Sequence, residues 1–262
     1  MAEPPNLGGQ PAAPRPGMPA PAPLPGRQAR HTTSLTRRYE VAGLTAGGHP
    51  REFTAVAPAS GAFEAAFGAF ARDALVATAA GPVAVGDLVP GDLIETVESG
   101  AVALLWKGSM TLYPDLPDVE ARAVALTRIT ADAFGLERPA GDLVLGPWAR
   151  LAIRHPGICE AVDAEMAMAP ASALADGVGV LALRPVTPVR LYHLGLDGQH
   201  TIRVCGIEAE SFHPGDGAEM LMHRAELATF LDLFPHAERL ADFGPMRRPR
   251  LSSSDYLSTR VA

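Results

Sequence analysis

Between residues 71 and 207 the chain is cut into short apolar runs, and the cuts come too often for a long helix to form. Leu75-Val-Ala-Thr78, Pro82-Val-Ala-Val85, Asp92-Leu-Ile-Glu-Thr96 and Val102-Ala-Leu-Leu-Trp-Lys107 are separated by Gly, Pro and Asp at close intervals. Runs this short between turn formers read as strands, so the pattern predicts an all-β domain. Further strands are expected at 121–127, 142–145, 150–154, 180–183, 189–194 and 201–207, with single helical turns at 131–134 and 169–175.

The flanks read differently. From Met1 to Gly26 Pro recurs with Ala and Gly between, which fixes φ and removes amide donors, so residues 1–29 are expected as a disordered lead. Polar and apolar residues then alternate on either side of Thr45-Ala-Gly-Gly48, predicting a β-hairpin, and Phe63, Phe67 and Phe70 stand at helical spacing over 61–71. After Gly217, Met220, Leu221, Ala225, Leu227, Leu231 and Phe234 outline one face of an amphipathic helix that Pro235 stops. Residues 244–262, with Arg247, Arg248, Arg250 and Ser252-Ser-Ser254, are expected as a flexible, solvated tail.

The totals exclude several classes. Of 262 residues 47% are hydrophobic, ample for a core, and the formal charge is −7, the wrong sign for a general nucleic-acid binder. Two cysteines, Cys159 and Cys205, make neither a disulfide framework nor a CxxC motif and are expected as unpaired structural thiols. No basic segment followed by an apolar one opens the chain, and no apolar run is long enough to span a bilayer. The expectation is a soluble protein without a membrane partner, cytoplasmic or exported without a standard N-terminal signal peptide. The wealth of Ala, Gly and Pro over aromatic residues suits a bacterial coding style.

Val83-Ala-Val-Gly-Asp-Leu-Val-Pro-Gly-Asp-Leu93, with Thr78, Gly81 and Trp106 around it, and the closing block Glu208-Ala-Glu-Ser-Phe-His-Pro-Gly215 together resemble the Hedgehog/intein (Hint) domain family. The resemblance covers about 69–234 and implies a Hint-like β domain over 69–216, a leading hairpin and helix over 30–68, and a C-terminal helix over 217–243. In that family the domain's first side chain attacks the carbonyl before it, and a histidine in the middle block protonates the departing nitrogen. A close nucleophile and a positioned acid are what a poor electrophile such as an amide requires.

The resemblance places Ala69 where the nucleophile would stand, because the opening Cys-Phe-x-x-Gly-Thr is replaced by Ala69-Phe-Ala-Arg-Asp-Ala74. It places Ala149 where the imidazole would stand, since Ser-Pro-x-His-Arg-Leu is replaced by Gly146-Pro-Trp-Ala-Arg-Leu151. Nor does the chain after Gly215 offer the terminal Asn of an intein. No catalytic residue is therefore assigned. Stand-ins would come from His193, His200, Cys205 and Cys159, the last preceded by His155. His193, His200 and His213 could converge with Glu210 or Ser211 on an acid/base or metal cluster, or simply bond backbone groups and close the fold. No HxxxH or HExxH spacing is present, and neither a metal nor a cofactor is expected. The reading is a Hint domain that keeps the scaffold without the reagents, a binding or structural module for an unknown protein partner rather than an enzyme. The alternative is an autoprocessing domain that uses the stand-ins.

Overall fold

A computed structural model describes residues 35–114 and 125–261. The Pro-rich lead lies outside the described residues, as do residues 121–124 of the strand expected at 121–127. The described chain runs β1 (Thr36–Leu44), β2 (Pro50–Pro58), α1 (Gly61–Phe67), β3 (Phe70–Ala71), β4 (Leu75–Thr78), β5 (Gly81–Ala84), β6 (Leu93–Thr96), β7 (Gly100–Ala103) and β8 (Trp106–Leu112). It continues with β9 (Leu126–Ile129), β10 (Leu143–Leu145), β11 (Arg150–Ile153), α2 (Pro156–Val162), β12 (Ala167–Pro170), β13 (Val180–Leu183), β14 (Val189–Gly195), β15 (Thr201–Val204) and β16 (Ile207–Glu210). Three helices close it: α3 (Ala218–Leu221), α4 (Arg224–Leu231) and α5 (Ser253–Val261).

The strands form two antiparallel sheets, one in the order β13-β9-β10-β3-β14-β8-β1-β2, the other β12-β11-β16-β15-β4-β6-β7 with β5 on β4. Val76, Ile94, Ile202 and Val204 of the second sheet share a core with Phe70, Ile129, Leu143 and Leu194 of the first. A second, aromatic core lies under α1 and α4, where Tyr39, Phe63, Phe67, Trp106, Phe230 and Phe234 meet. The Trp106 indole donates to the Leu233 carbonyl at 2.8 Å, so even this apolar cluster satisfies its one N–H.

The leading hairpin is no appendage. In β1, Arg37, Tyr39 and Val41 turn inward at alternate positions, and Tyr39 to Gly43 pair with Met110 to Trp106 of β8. The turn at Pro90-Gly91 also follows the local chemistry: the Asp92 amide donates to the Val89 carbonyl, and Gly91 takes φ 101.

Several expectations give way to tertiary pairing. The helix expected over 61–71 stops at Phe67 because Phe70 pairs with both Leu145 and Tyr192. Residues 201–207 are not one strand: Cys205 and Gly206 both take positive φ, 48 and 78, and turn β15 back onto β16. The strands expected at 189–194 and 201–207 do not pair with each other, since β14 belongs to the first sheet and β15 to the second. Residues 131–134 form turns, and a short helix, α2, occupies 156–162 with Pro156 in its first turn. The amphipathic helix after Gly217 is two pieces, broken where Met222 is extended.

The expected solvated tail is packed. Met168 donates to the Pro249 carbonyl and Leu251 donates back to the Met168 carbonyl, both at 2.8 Å, so residues 249–251 strap the β12 edge. Leu251 and Tyr256 are buried. An unpaired strand edge is a row of unsatisfied amides, and this strap covers one.

Candidate functional site

Gly68 and Ala69 carry the chain from α1 into β3, and the backbone of this link is held from two sides. The Ala69 amide donates to the Tyr192 carbonyl at 3.0 Å, and the Ala69 carbonyl accepts from the Gly146 amide at 2.7 Å. The Gly68 carbonyl accepts from the Trp148 amide at 3.2 Å. The segment Gly146-Pro-Trp-Ala149 therefore lies on the Gly68–Ala69 peptide. Both alanines are sealed in, Ala69 at 0% and Ala149 at 1% exposure.

A donor on the Gly68 carbonyl oxygen is half of what attack on an amide requires, since it would stabilise the developing oxyanion. The methyl groups of Ala69 and Ala149 supply neither a nucleophile nor a proton. Thr78 does not replace them, because its hydroxyl donates to the Gly81 carbonyl at 2.6 Å and serves the β4–β5 turn.

On β14 His193 follows Tyr192, whose carbonyl accepts from the Ala69 amide. Its Nδ1 lies 2.9 Å from the Ala65 carbonyl oxygen, a geometry in which Nδ1 carries the proton, and its ring meets Phe70 and Phe212 edge to face. Burial pushes its pKa down to about 4, so the ring is neutral at pH 7 and has no proton to give as an imidazolium. His213 is committed at both nitrogens, with Nδ1 accepting from the Gly215 amide and Nε2 3.0 Å from the Gly244 carbonyl oxygen, and burial holds it below the usual histidine range.

The other candidates lie apart. His200 faces the Asp197 carbonyl at 2.9 Å and stands 3.9 Å from Glu98, while its amide donates to Ser211. Cys205 accepts from the Leu75 amide at 3.3 Å, and burial pushes its thiol up, away from reactivity. Cys159 donates from α2 to the Glu165 carbonyl at 3.2 Å. Neither sulfur has the Gly68–Ala69 peptide as a partner. Among the described residues no three His, Cys, Asp or Glu side chains group as metal ligands.

The structure brings His193 and His213 to one cavity of about 470 Å³ beside the link. Ala62 and Ala65 of the α1 segment form one wall, Phe212 and Phe230 another, and Arg150, Glu210 and Arg250 the polar end. Sequence reasoning missed the arginines. Arg150 follows Ala149 in the middle block but was given no role of its own, and Arg250 belongs to the stretch expected as solvent-borne tail. Next to them runs a buried polar seam: Gln199 accepts the amides of Arg247 and Arg248, and Glu98 accepts from Thr201 and Arg248. Burial works against the charge on Glu98, yet the Thr201 hydroxyl and amide outweigh it and hold the carboxyl below the usual range.

No helix among the described residues is long and apolar enough to cross a membrane. A search of curated proteins gives no match. Among solved structures the chain is similar to the bacterial intein-like domain from Clostridium thermocellum, with 13% identity over 56% of this chain and 99% of that one and a TM-score of 0.38. Residues 68–216 match the sequence profile of the Hint domain. That match starts at the Gly68–Ala69 link, ends just past the closing block and covers more than half of the 262 residues, so the chain belongs to the Hint domain family.

Proposed function

We propose that this Hint domain does not cut its own backbone and acts as a binding or structural module. One feature carries the reading: the positions that the resemblance assigns to attack and protonation hold Ala69 and Ala149, two buried methyl groups at the Gly68–Ala69 peptide. Nucleophile and acid each lower the barrier, the acid by roughly 10²–10⁴ in rate, and a backbone donor alone does not replace them.

The chain upstream of Ala69 supports the same reading. A self-cleaving domain has to part from what precedes it, whereas here β1 is hydrogen-bonded to β8 inside the first sheet. Phe63 and Phe67 of α1 belong to the aromatic core with Trp106. Cutting before Ala69 would leave the upstream piece held by the whole of that interface.

The test is the mass of the purified full-length chain followed for a day at neutral pH, with and without dithiothreitol. A single intact mass is expected in both. A fragment beginning at Ala69 overturns the proposal, and single alanine substitutions of His193, His200, Cys159 and Cys205 would then identify the group responsible.

A further inference from the structure

We propose that the cavity beside the Gly68–Ala69 link binds a small amphiphilic carboxylate, an alkyl or aryl body carrying one acid group. The proposal does not depend on whether the link is cut. At about 470 Å³ the cavity falls within the roughly 300–1,000 Å³ of small-molecule sites, and it has their character, an apolar lining with a few placed polar groups. Ala62, Ala65, Phe212, Met222 and Phe230 offer the apolar walls.

The lining holds two arginines and two glutamates, and both arginines gather on one of the carboxylates. Glu210, buried at 3% exposure, accepts from Arg250 Nε at 2.8 Å and stands 3.8 Å from Arg150 Nε, so two guanidiniums share one carboxylate. Glu210 also accepts the Gln199 side-chain amide, which uses up more of its acceptor capacity. Glu226, the other carboxylate on the wall, comes from α4 and pairs with neither arginine among the described residues. Burial holds the Arg150 guanidinium below the usual range, while the charge of Glu210 opposes this and outweighs the repulsion from Arg250. His193 and His213, both held low by burial, add no charge of their own at pH 7.

Hydrogen-bonding capacity is left over as well. Arg150 Nη1 donates to the Leu251 carbonyl and Arg250 Nη2 to the His213 carbonyl, while Arg150 Nη2 and Arg250 Nη1 have no acceptor among the described residues. Ser60 and Trp148 also line the cavity. The open guanidinium N–H groups take an acceptor, and the apolar walls take an alkyl or aryl body. A carboxylate fits the guanidinium fork, and its alkyl body covers the walls.

The chain has two tryptophans, which makes the test direct. The ¹⁵N-labelled full-length protein is titrated with n-octanoate, n-octanol and n-octylammonium while the two indole N–H resonances are followed, with Trp148→Phe identifying the Trp148 signal. Trp106, bonded to Leu233, reports the fold. Octanoate is expected to shift the Trp148 resonance saturably and to bind at least tenfold more tightly than the other two, and Arg150→Gln to weaken it at least tenfold. No saturable shift with octanoate, equal binding of octanol, or wild-type affinity in a folded Arg150→Gln overturns the proposal. If Arg150→Gln loses the Trp106 signal, the head-group comparison on the wild-type chain decides alone. The mass of the same samples reports self-cleavage separately, so either proposal can fail without the other.

Discussion

Gly146 is pressed against Gly68: a Cβ on Gly146 would come within 2.8 Å of the Gly68 carbonyl carbon, which is backbone and cannot swing aside. The closeness lets Gly146 donate to Ala69 and brings Trp148 to the Gly68 carbonyl. Gly146→Ala is therefore expected to destabilise the fold by about 3 kcal/mol, an overpacking cost at the upper end of its usual range. The urea midpoint is the measurement, and an unchanged midpoint would mean that the link is not so tightly held.

Arg37 on β1 and Glu64 on α1 form an ion pair at 2.6 Å with both side chains under a tenth exposed. Removing one partner strands a buried charge, so Glu64→Leu or Arg37→Met alone is expected to cost about 3 kcal/mol, while the double change Arg37→Met with Glu64→Leu recovers most of it. A double-mutant cycle by urea denaturation checks this, and it also tests whether the hairpin and the helix upstream of Ala69 unfold with the rest.

Arg250 reaches from the C-terminal strap to Glu210 and to the His213 carbonyl. Arg250→Ala leaves Glu210 buried with its nearest guanidinium gone, for an expected loss of about 2 kcal/mol. Amide hydrogen exchange should show Met168 and Leu251 losing protection in the same variant, because the strap's bonds to β12 depend on that anchor.

His193 links stability to pH. Burial lowers its pKa to about 4 in the fold, against 6.5 for an unburied histidine, so between these values the unfolded chain takes up a proton that the folded one refuses. Its contribution is intact above about pH 6.5 and is lost as the pH falls toward 4. At pH 5 the expected loss is on the order of 2 kcal/mol. Unfolding free energies from urea titrations at pH 7 and pH 5 should differ by clearly less in His193→Gln than in the wild type, to whose pH dependence His236 and His213, also held low by burial, contribute in the same direction.

Much of the β architecture was legible because it rests on short-range chemistry. Pro90-Gly91 makes its turn with Gly at positive φ, and the alternation around Thr45-Ala-Gly-Gly48 makes its hairpin, as the residue types demand. The segment 201–207 was misread because Cys205 is not a usual residue for the left-handed conformation it adopts beside Gly206. The site was legible in one respect, that Ala69 and Ala149 carry no reactive group, since a missing atom needs no fold to be noticed.

The sequence by itself determined that the chain builds short strands between turns and that Ala69 and Ala149 are bare methyl groups, because dihedral preference and side-chain chemistry are properties of single residues and their neighbours. Only the tertiary structure decided that β14 and β15 part into different sheets, that the supposed tail straps β12, and that Arg150 and Arg250 share Glu210 beside an open cavity. Those outcomes depend on which distant amides, charges and apolar faces find one another, and no local pattern encodes such partners.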